Sequence, residues 1–144
     1  MTDDEARRLI DRVMELWSGP IPDGPDGEAA FGECYADPLT VNGAPFRLTD
    51  LVARARALHA AHSAIRPELL QVLAAPGHVV VAFIMHVRHT GPLATPLGTV
   101  PATGREAAAR TIDILAVRDG KITDITVVAD ELGMLTQLGA LRLA

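Results

Sequence analysis

A long hairpin near the carboxyl end constrains the fold of this chain more than any other segment. Extended segments are predicted over Arg105–Val117 and Lys121–Val128, and the Arg118-Asp119-Gly120 sequence between them is a strong hairpin signal. Another long strand is predicted over Val79–His89, with a shorter one over Leu69–Leu73 before it. The second half of the chain is therefore expected to build an antiparallel sheet.

In the first half of the chain, apolar residues recur at helical spacing instead. A first helix is predicted to start at Thr2 or Asp3 and to end at Ser18, and a short second one to cover Glu28–Tyr35. A third helix is predicted to start at Thr49-Asp50. A fourth is predicted over Glu131–Leu138, with Asp130 as its N-terminal cap. The segments 19–27 and 90–104 are rich in proline and glycine and are expected to be loops. Helices followed by a run of antiparallel strands indicate an α+β fold, with one curved sheet wrapped around the helices in a single domain over residues 1–144.

The composition argues against several classes of function. The 144 residues are 49% hydrophobic, carry a net charge of −5 and contain no basic run, so a nucleic-acid partner is not expected. The longest apolar run, Val79–Met85, is too short to span a membrane. Cys34 is the single cysteine, which excludes an internal disulfide. The acidic, helical N-terminus is unlike a signal peptide, so we expect a cytoplasmic protein.

One acidic residue lies within the apolar first strand of the hairpin. Asp113 sits in the sequence RTIDILAV, where it faces either the water or the interior of the sheet. A buried, unpaired carboxylate costs several kcal/mol when ionised, so it tends to protonate or find a donor. A protonated aspartic acid can donate a hydrogen bond to an enolate or shuttle a proton. Alternatively, Asp113 pairs with an arginine or a backbone amide and does no chemistry.

The hairpin turn decides which way this aspartate points. If a type I turn carries a glycine bulge, Val117 pairs with Lys121 and Asp113 lies opposite Ile125, in an apolar wall. If the turn has two residues, Asp113 meets Thr126 on a face that can be solvent. We favour the first register because it separates polar from apolar residues more cleanly. On the neighbouring long strand, the bulkier and more uniformly apolar alternate set is assigned inward: Val81, Phe83, Met85, Val87 and, at its rim, His89.

Several motifs of the second half resemble one known family. Pro101–Arg105, Asp113, Val117–Ile122 and Val128–Gly139 are similar to the SnoaL-like polyketide cyclases, which belong to the nuclear transport factor 2-like superfamily. The resemblance implies a cone-shaped fold, in which a curved antiparallel sheet surrounds N-terminal helices and a pocket opens at the wide end. It also implies a homodimer. Ketosteroid isomerases of the same superfamily look similar at Asp113, with a pocket aspartate that donates a hydrogen bond to an oxyanion.

The chain also departs from its relatives. The isomerases' helix-one tyrosine aligns near Val13 and their catalytic base near Asn42 to Ala44, so steroid isomerisation is not expected. Cyclases of the family use an acid/base aspartate, expected on the pocket face of the last strand. Ile125, Val127 and Ala129 stand there instead. Asp113 is therefore the only carboxylate that we place in the pocket.

The resemblance leads to a concrete expectation of function. We expect a cofactor-free and metal-free cyclase or isomerase-type enzyme of secondary metabolism, with Asp113 as the acid/base and an apolar, carbonyl-bearing small molecule as substrate. The residues expected to contact this molecule are Trp17, Asn42, Val81, Phe83, Met85, Val87, His89, Ile125 and Val127. His59 and His62 lie three apart in a predicted helix, but no third metal ligand is evident.

Two other functions remain open. One is a non-catalytic protein of the same fold that binds a hydrophobic ligand or acts as a dimeric scaffold, which the missing last-strand aspartate favours. The other is epoxide hydrolysis, which needs aspartates and an arginine around one water. Arg110 and Asp113 are three apart on a strand and face opposite ways, so we rank this reaction last.

Overall fold

The computed structural model describes residues 1–144, and its elements follow the predicted order of helices and then strands. The helices are α1 (Asp3–Ser18), α2 (Pro25–Phe31), α3 (Leu48–Ala61) and α4 (Glu131–Gln137). The strands are β1 (Tyr35–Val41), β2 (Ala44–Phe46), β3 (His62–Ala75), β4 (His78–His89), β5 (Leu93–Thr95), β6 (Gly98–Val100), β7 (Glu106–Arg118) and β8 (Lys121–Ala129). No helix is both long enough and apolar enough to cross a bilayer.

Six of the strands form one sheet in the order β2-β1-β8-β7-β4-β3. All neighbouring pairs are antiparallel except β1 and β8, which run parallel. The predicted α+β class, with a mainly antiparallel sheet and N-terminal helices, is confirmed. The parallel pair was not predicted, because β1 and β8 lie about 85 residues apart in sequence and no local pattern links them. The remaining two strands, β5 and β6, form a small hairpin within the segment expected to be a loop.

Several predicted boundaries shift. Helix α2 starts at Pro25 rather than Glu28, because proline suits the first turn of a helix, where its missing N–H is not needed. It ends at Gly32, so Tyr35 belongs to strand β1 and the prediction of a helix through Tyr35 was wrong. Strand β3 starts at His62, directly after α3.

Helix α1 covers the inner face of the sheet. The Thr2 side chain accepts a hydrogen bond from the Glu5 N–H, and the Glu5 carboxylate accepts one from the Thr2 N–H, which together satisfy two free donors at the helix start. One stripe of the helix is buried against the sheet in the main hydrophobic core: Ala6, Leu9, Ile10, Val13 and Met14. Since burial of each large side chain contributes about 1.5–3 kcal/mol, this stripe fixes the helix inside the sheet.

The register of the β7–β8 hairpin differs from both predicted alternatives. Asp119 and Gly120 have φ of 52° and 77°, which makes a two-residue turn, and Arg118 pairs with Lys121. A bulge at Thr123 then shifts the pairing, so that Asp113 lies opposite Val127. The favoured pairing of Asp113 with Ile125 was therefore wrong, and so was the alternative pairing with Thr126.

The outer face of the sheet is apolar and open. Ile112, Ile114 and Val128 are 50%, 43% and 70% exposed. Ile112 pairs with Val128, and Val80 of β4 pairs with both Ile114 of β7 and Leu73 of β3. We call this surface the outer patch, and it comprises Leu73, Val80, Ile112, Ile114 and Val128.

Candidate functional site

Asp113 lies on the inner face of the sheet. It stands in β7 between Val81 of β4 and Val127 of β8. Its neighbours two positions away on the same strand, Thr111 and Leu115, are both buried. Because strand residues alternate between faces, the carboxyl group points toward the core. The inward direction was expected, and the alternation along β7 itself is what sets it.

The environment of this carboxyl group is unusual. The Oδ1 atom of Asp113 is buried and has no hydrogen-bond partner. Burial alone raises the pKa of Asp113 to about 7, with no opposite charge nearby to counter it. Near neutral pH the group is therefore present in both its protonated and its ionised form. A buried acid of this kind, without a structural partner, is typical of a proton-transfer site.

A second polar group lies in the same interior. The Trp17 Nε1–H donates a hydrogen bond of 2.8 Å to the Tyr35 hydroxyl oxygen, and Tyr35 is only 3% exposed. Burial raises the pKa of Tyr35, and the charge of Asp113 raises it further. The sequence pattern predicted Tyr35 at the end of a helix. Gly32 within that predicted helix was the signal that the chain leaves the helix before Tyr35.

The structure brings together about half of the residues predicted to contact a small molecule. Val81 and Phe83 on one side of Asp113, and Ile125 and Val127 on the other, share its face of the sheet and the same hydrophobic core. Trp17 packs against this core from the end of α1. These side chains form an apolar wall around the carboxyl group.

The outer part of the predicted wall lies elsewhere. Val87 belongs to a separate small cluster with Ala107 and Leu138, and Met85 packs against both clusters. Both residues follow Phe83 along β4, toward the end of the strand that is covered by α4. The structure therefore does not place Val87 beside Asp113.

The Asn42 side chain is bound to the protein backbone. Its Nδ2 donates to the Val127 carbonyl oxygen over 3.2 Å, and its Oδ1 accepts from the Val127 N–H over 2.8 Å. Asn42 has a positive φ of 49°, as expected in a turn with Gly43. Both polar atoms of the amide thus hold β8 in place, which gives Asn42 a structural role.

The histidines form a pair away from Asp113. His89 is completely buried, and its Nδ1 contacts the Thr103 hydroxyl and accepts from the Thr103 N–H. His62 is the first residue of β3, not part of a helix with His59, and its ring centroid is 5.8 Å from that of His89. No group of three or more His, Cys, Asp or Glu side chains is arranged to hold a metal ion.

Two cavities open on the surface, and Asp113 lines neither. One, of about 400 Å³, lies between the ends of β3, β4 and β7 and the last residue of α4, and includes Val87. The other, of about 340 Å³, lies between the start of α1 and strand β3. Neither of these two cavities therefore gives a ligand direct access to the Asp113 carboxyl group, which is itself half-buried.

This architecture defines the class of the protein. A curved, mainly antiparallel sheet that wraps around N-terminal helices is the nuclear transport factor 2-like fold. Within this class, the family model of the SnoaL-like polyketide cyclases matches residues 23–138. The chain belongs to the SnoaL-like polyketide cyclase family.

Solved structures share the whole fold. TsrD from Streptomyces laurentii is 22% identical with a TM-score of 0.82, and the match covers 98% of this chain and 99% of that one. A SnoaL-like polyketide cyclase from Agrobacterium tumefaciens is 16% identical (TM-score 0.72, 96% and 100% covered). A ketosteroid isomerase-like protein from Catenulispora acidiphila is 17% identical (TM-score 0.70, 92% and 93% covered). No curated protein matches the sequence.

Proposed function

We propose that the chain is a cofactor-free enzyme of the cyclase or isomerase type, acting on an apolar, carbonyl-bearing molecule such as a polyketide intermediate. The single observation that carries this proposal is the Asp113 carboxyl group, whose pKa is raised to about 7 by burial in an apolar wall. The family supports the substrate class, since one structural relative is itself called a polyketide cyclase. The proposal places the enzyme in the cytoplasm, where the buried Cys34 thiol stays reduced.

The proposed reaction uses both the ionised and the protonated form of the Asp113 side chain. As a carboxylate, Asp113 removes a proton from the carbon next to the substrate carbonyl, and the electron pair moves onto the carbonyl oxygen as an enolate. As a carboxylic acid, it then returns that proton to another carbon of the enolate in an isomerisation, or, in a cyclisation, to the alkoxide that forms when the enolate carbon attacks a second carbonyl of the same molecule. The side chain ends in its starting form, so the cycle needs no cofactor. A pKa near the working pH makes both steps accessible.

The test combines titration with turnover. We expect carbon NMR of the Asp113 carboxyl to give a pKa near 7, and Asp113→Asn to lower turnover of a linear aromatic polyketide precursor by about 10²-fold or more. Asp119→Asn is the matched control, because Asp119 is exposed in the adjacent turn. An ordinary carboxylate pKa, or full turnover by Asp113→Asn, would refute the proposal.

A second candidate is a non-catalytic protein that holds a hydrophobic ligand. It is favoured because neither of the two described cavities includes Asp113 and because the inner face of β8 carries apolar residues, Ile122, Ile125, Val127 and Ala129. In that case a ligand binds equally well to wild type and to Asp113→Asn, and no product forms. Epoxide hydrolysis gains no support, since Arg110 lies on the outer face of β7.

We also propose that two copies of the chain pair through the outer patch, as the family resemblance implies. The patch is exposed and apolar, and farther along the same face of the sheet the Arg88–Glu106 pair supplies both charge signs. A surface with both signs can match a second copy turned by a twofold rotation.

Substitution at the centre of the patch tests this pairing. We expect Ile112→Lys to produce a monomer, because a twofold contact places two copies of the new charge in one apolar interface. Light scattering during size-exclusion chromatography measures the mass. Lys121→Ala, in the turn at the end of the hairpin, serves as the control and keeps the wild-type mass. A monomeric wild type, or a dimeric Ile112→Lys, would contradict the proposal.

A further inference from the structure

We propose that His62 and His89 form a neutral, buried pair that keeps the segment 90–104 closed against the sheet and releases it in acid. The segment connects β4 to β7 and contains the β5–β6 hairpin. Leu93 of this hairpin packs against the small cluster that contains Val87. Release of the segment therefore uncovers apolar side chains at this end of the sheet, which makes the pair a pH-dependent control of access to the interior.

The segment is anchored at both of its ends beside the two histidines. At its start, the N–H groups of residues 90–91 both donate to the Ala61 carbonyl oxygen over 3.0 Å. At its end, the Gly104 N–H donates to the His89 carbonyl oxygen over 2.8 Å. The Thr103 N–H donates to the Nδ1 atom of the His89 ring over 3.2 Å. One ring nitrogen of His89 is thus part of the anchor.

The hydrogen bonds fix the proton positions of both rings. A backbone N–H can only donate, so Nδ1 of His89 is an acceptor and the ring proton lies on Nε2. A carbonyl oxygen can only accept, so Nδ1 of His62, which is 3.1 Å from the Leu58 oxygen, carries the proton of that ring. The Nε2 atom of His62 is then an unprotonated acceptor. The closed state therefore holds two neutral imidazoles of opposite tautomer.

A second proton on either ring conflicts with the closed state. On His89 it would lie on Nδ1, against the Thr103 N–H, so that two donors would face each other. On His62 it would lie on Nε2, which is buried and has no hydrogen-bond partner. The two ring centroids are only 5.8 Å apart, so a charge on one ring also opposes a charge on the other. Each protonation therefore favours a state in which the ring reaches water.

The direction of the pH effect follows from this conflict. Burial lowers the pKa of His62 below its ordinary value of 6.5, and a charge on His89 lowers it further, although the hydrogen bond to Leu58 acts the other way. The open state binds protons at the ordinary pKa, and the closed state binds them less tightly. The closed state is therefore fully favoured above about pH 6.5 and is destabilised as the pH falls below that value.

No other ionisable group of this region is bound to the pair. The segment 90–104 itself contains no ionisable side chain. The hydrogen bonds of the two imidazoles go to Leu58 and Thr103 alone. The charged or ionisable side chains of the elements around them are Asp50, Arg54, Arg56 and His59 in α3, Arg66 and Glu68 in β3, His86 and Arg88 in β4, Arg105, Glu106 and Arg110 in or next to β7, and Glu131 in α4. The response of the segment near neutral pH is therefore assigned to the two histidines.

Hydrogen exchange of backbone amides tests the release. The amides to follow by NMR are those of Thr90, Gly91, Thr103 and Gly104, with each rate corrected for the intrinsic exchange rate at that pH. For each histidine that accepts a proton only in the open state, the opening constant should rise about 30-fold between about pH 7.5 and pH 5. Both histidines together should give up to about 10³-fold. Amides in the β4–β7 ladder should keep their protection.

Asparagine variants separate the two rings. In His89→Asn the side-chain oxygen can still accept from the Thr103 N–H, and in His62→Asn the side-chain amide can still donate to the Leu58 oxygen, but neither side chain takes up a proton. Each single variant should therefore keep only about a 30-fold response, and the double variant should show almost none. His78→Asn is the matched control, because His78 is exposed in the same strand as His89, and it should keep the full response.

Each other outcome overturns the inference. Opening constants that do not change between the two pH values would show that protonation is compatible with the closed state. A rise that persists in the double variant would assign the response to other groups, and a rise that spreads through the whole sheet would be global acid unfolding. Nitrogen NMR of the imidazoles at neutral pH should find the proton of His62 on Nδ1 and that of His89 on Nε2. The opposite tautomers would contradict the pair even if a variant does not fold.

Discussion

Asp113→Asn is expected to remove most of the pH dependence of stability between about pH 4 and pH 8. The pKa of Asp113 in the folded protein is about 7, above the ordinary value of 3.8. The folded state therefore binds this proton more tightly than the unfolded state does. The stability that it contributes is fully present below about pH 4 and is lost as the pH rises through 7. The difference of about three pKa units corresponds to at most about 4 kcal/mol.

Urea unfolding followed by circular dichroism at a series of pH values measures this effect. The free energy of unfolding of the wild type should fall as the pH rises, whereas Asp113→Asn should lose this fall and keep only the pH dependence from groups such as His62 and Asp37, whose pKa values are lowered. Asp119→Asn is the control and should follow the wild-type curve, because Asp119 is exposed in the turn. Parallel curves for wild type and Asp113→Asn would show that the carboxyl group is hydrated and titrates normally.

Phe31→Ala is expected to destabilise the protein by about 3–5 kcal/mol, the range for a buried phenylalanine. Phe31 is completely buried and is the centre of an aromatic group, with Trp17 edge-on at 5.6 Å and Tyr35 stacked at 6.0 Å. Its removal leaves a cavity between α2 and β1 that backbone elements on both sides keep open. The loss therefore combines lost burial with lost aromatic contacts.

A matched substitution exists for comparison. Phe46 is only partly buried, and its ring is covered by the Arg54 guanidinium at 4.9 Å. Phe46→Ala should therefore cost clearly less, since the site can refill with solvent. Chemical denaturation of both variants at one pH gives the comparison. Equal losses would mean that Phe31 does not support the core in the way its contacts indicate.

The features that the sequence predicted are those with a local cause. The helical stripe of α1 and the Thr2 cap appear in consecutive residues, and so does the alternation along β7 that directs Asp113 inward. Each of these features depends on the periodicity of apolar residues along a single helix or strand that packs against the core. The α+β class therefore followed from the pattern, whereas the inward direction of Asp113 was expected from a hairpin register that the structure does not have.

The features that were missed depend on distant parts of the chain. The bulge at Thr123 allows Ile122 and Ile125, three residues apart, to face inward on one strand. Such spacing resembles no regular strand, which is why each register considered from the sequence matched only part of the hairpin. The position of Tyr35 beside Ile122 depends on the parallel pairing of β1 with β8. No window of sequence contains both halves of that pairing.

The contact between Trp17 and Tyr35 also has a spectroscopic consequence. The chain contains one tryptophan and one tyrosine, and they are hydrogen-bonded to each other where α1 meets β1. All tyrosine and tryptophan fluorescence of the protein thus originates at one location. Any event that separates the first helix from the first strand will change this intrinsic fluorescence. The fluorescence therefore monitors the contact between α1 and β1 without an added label.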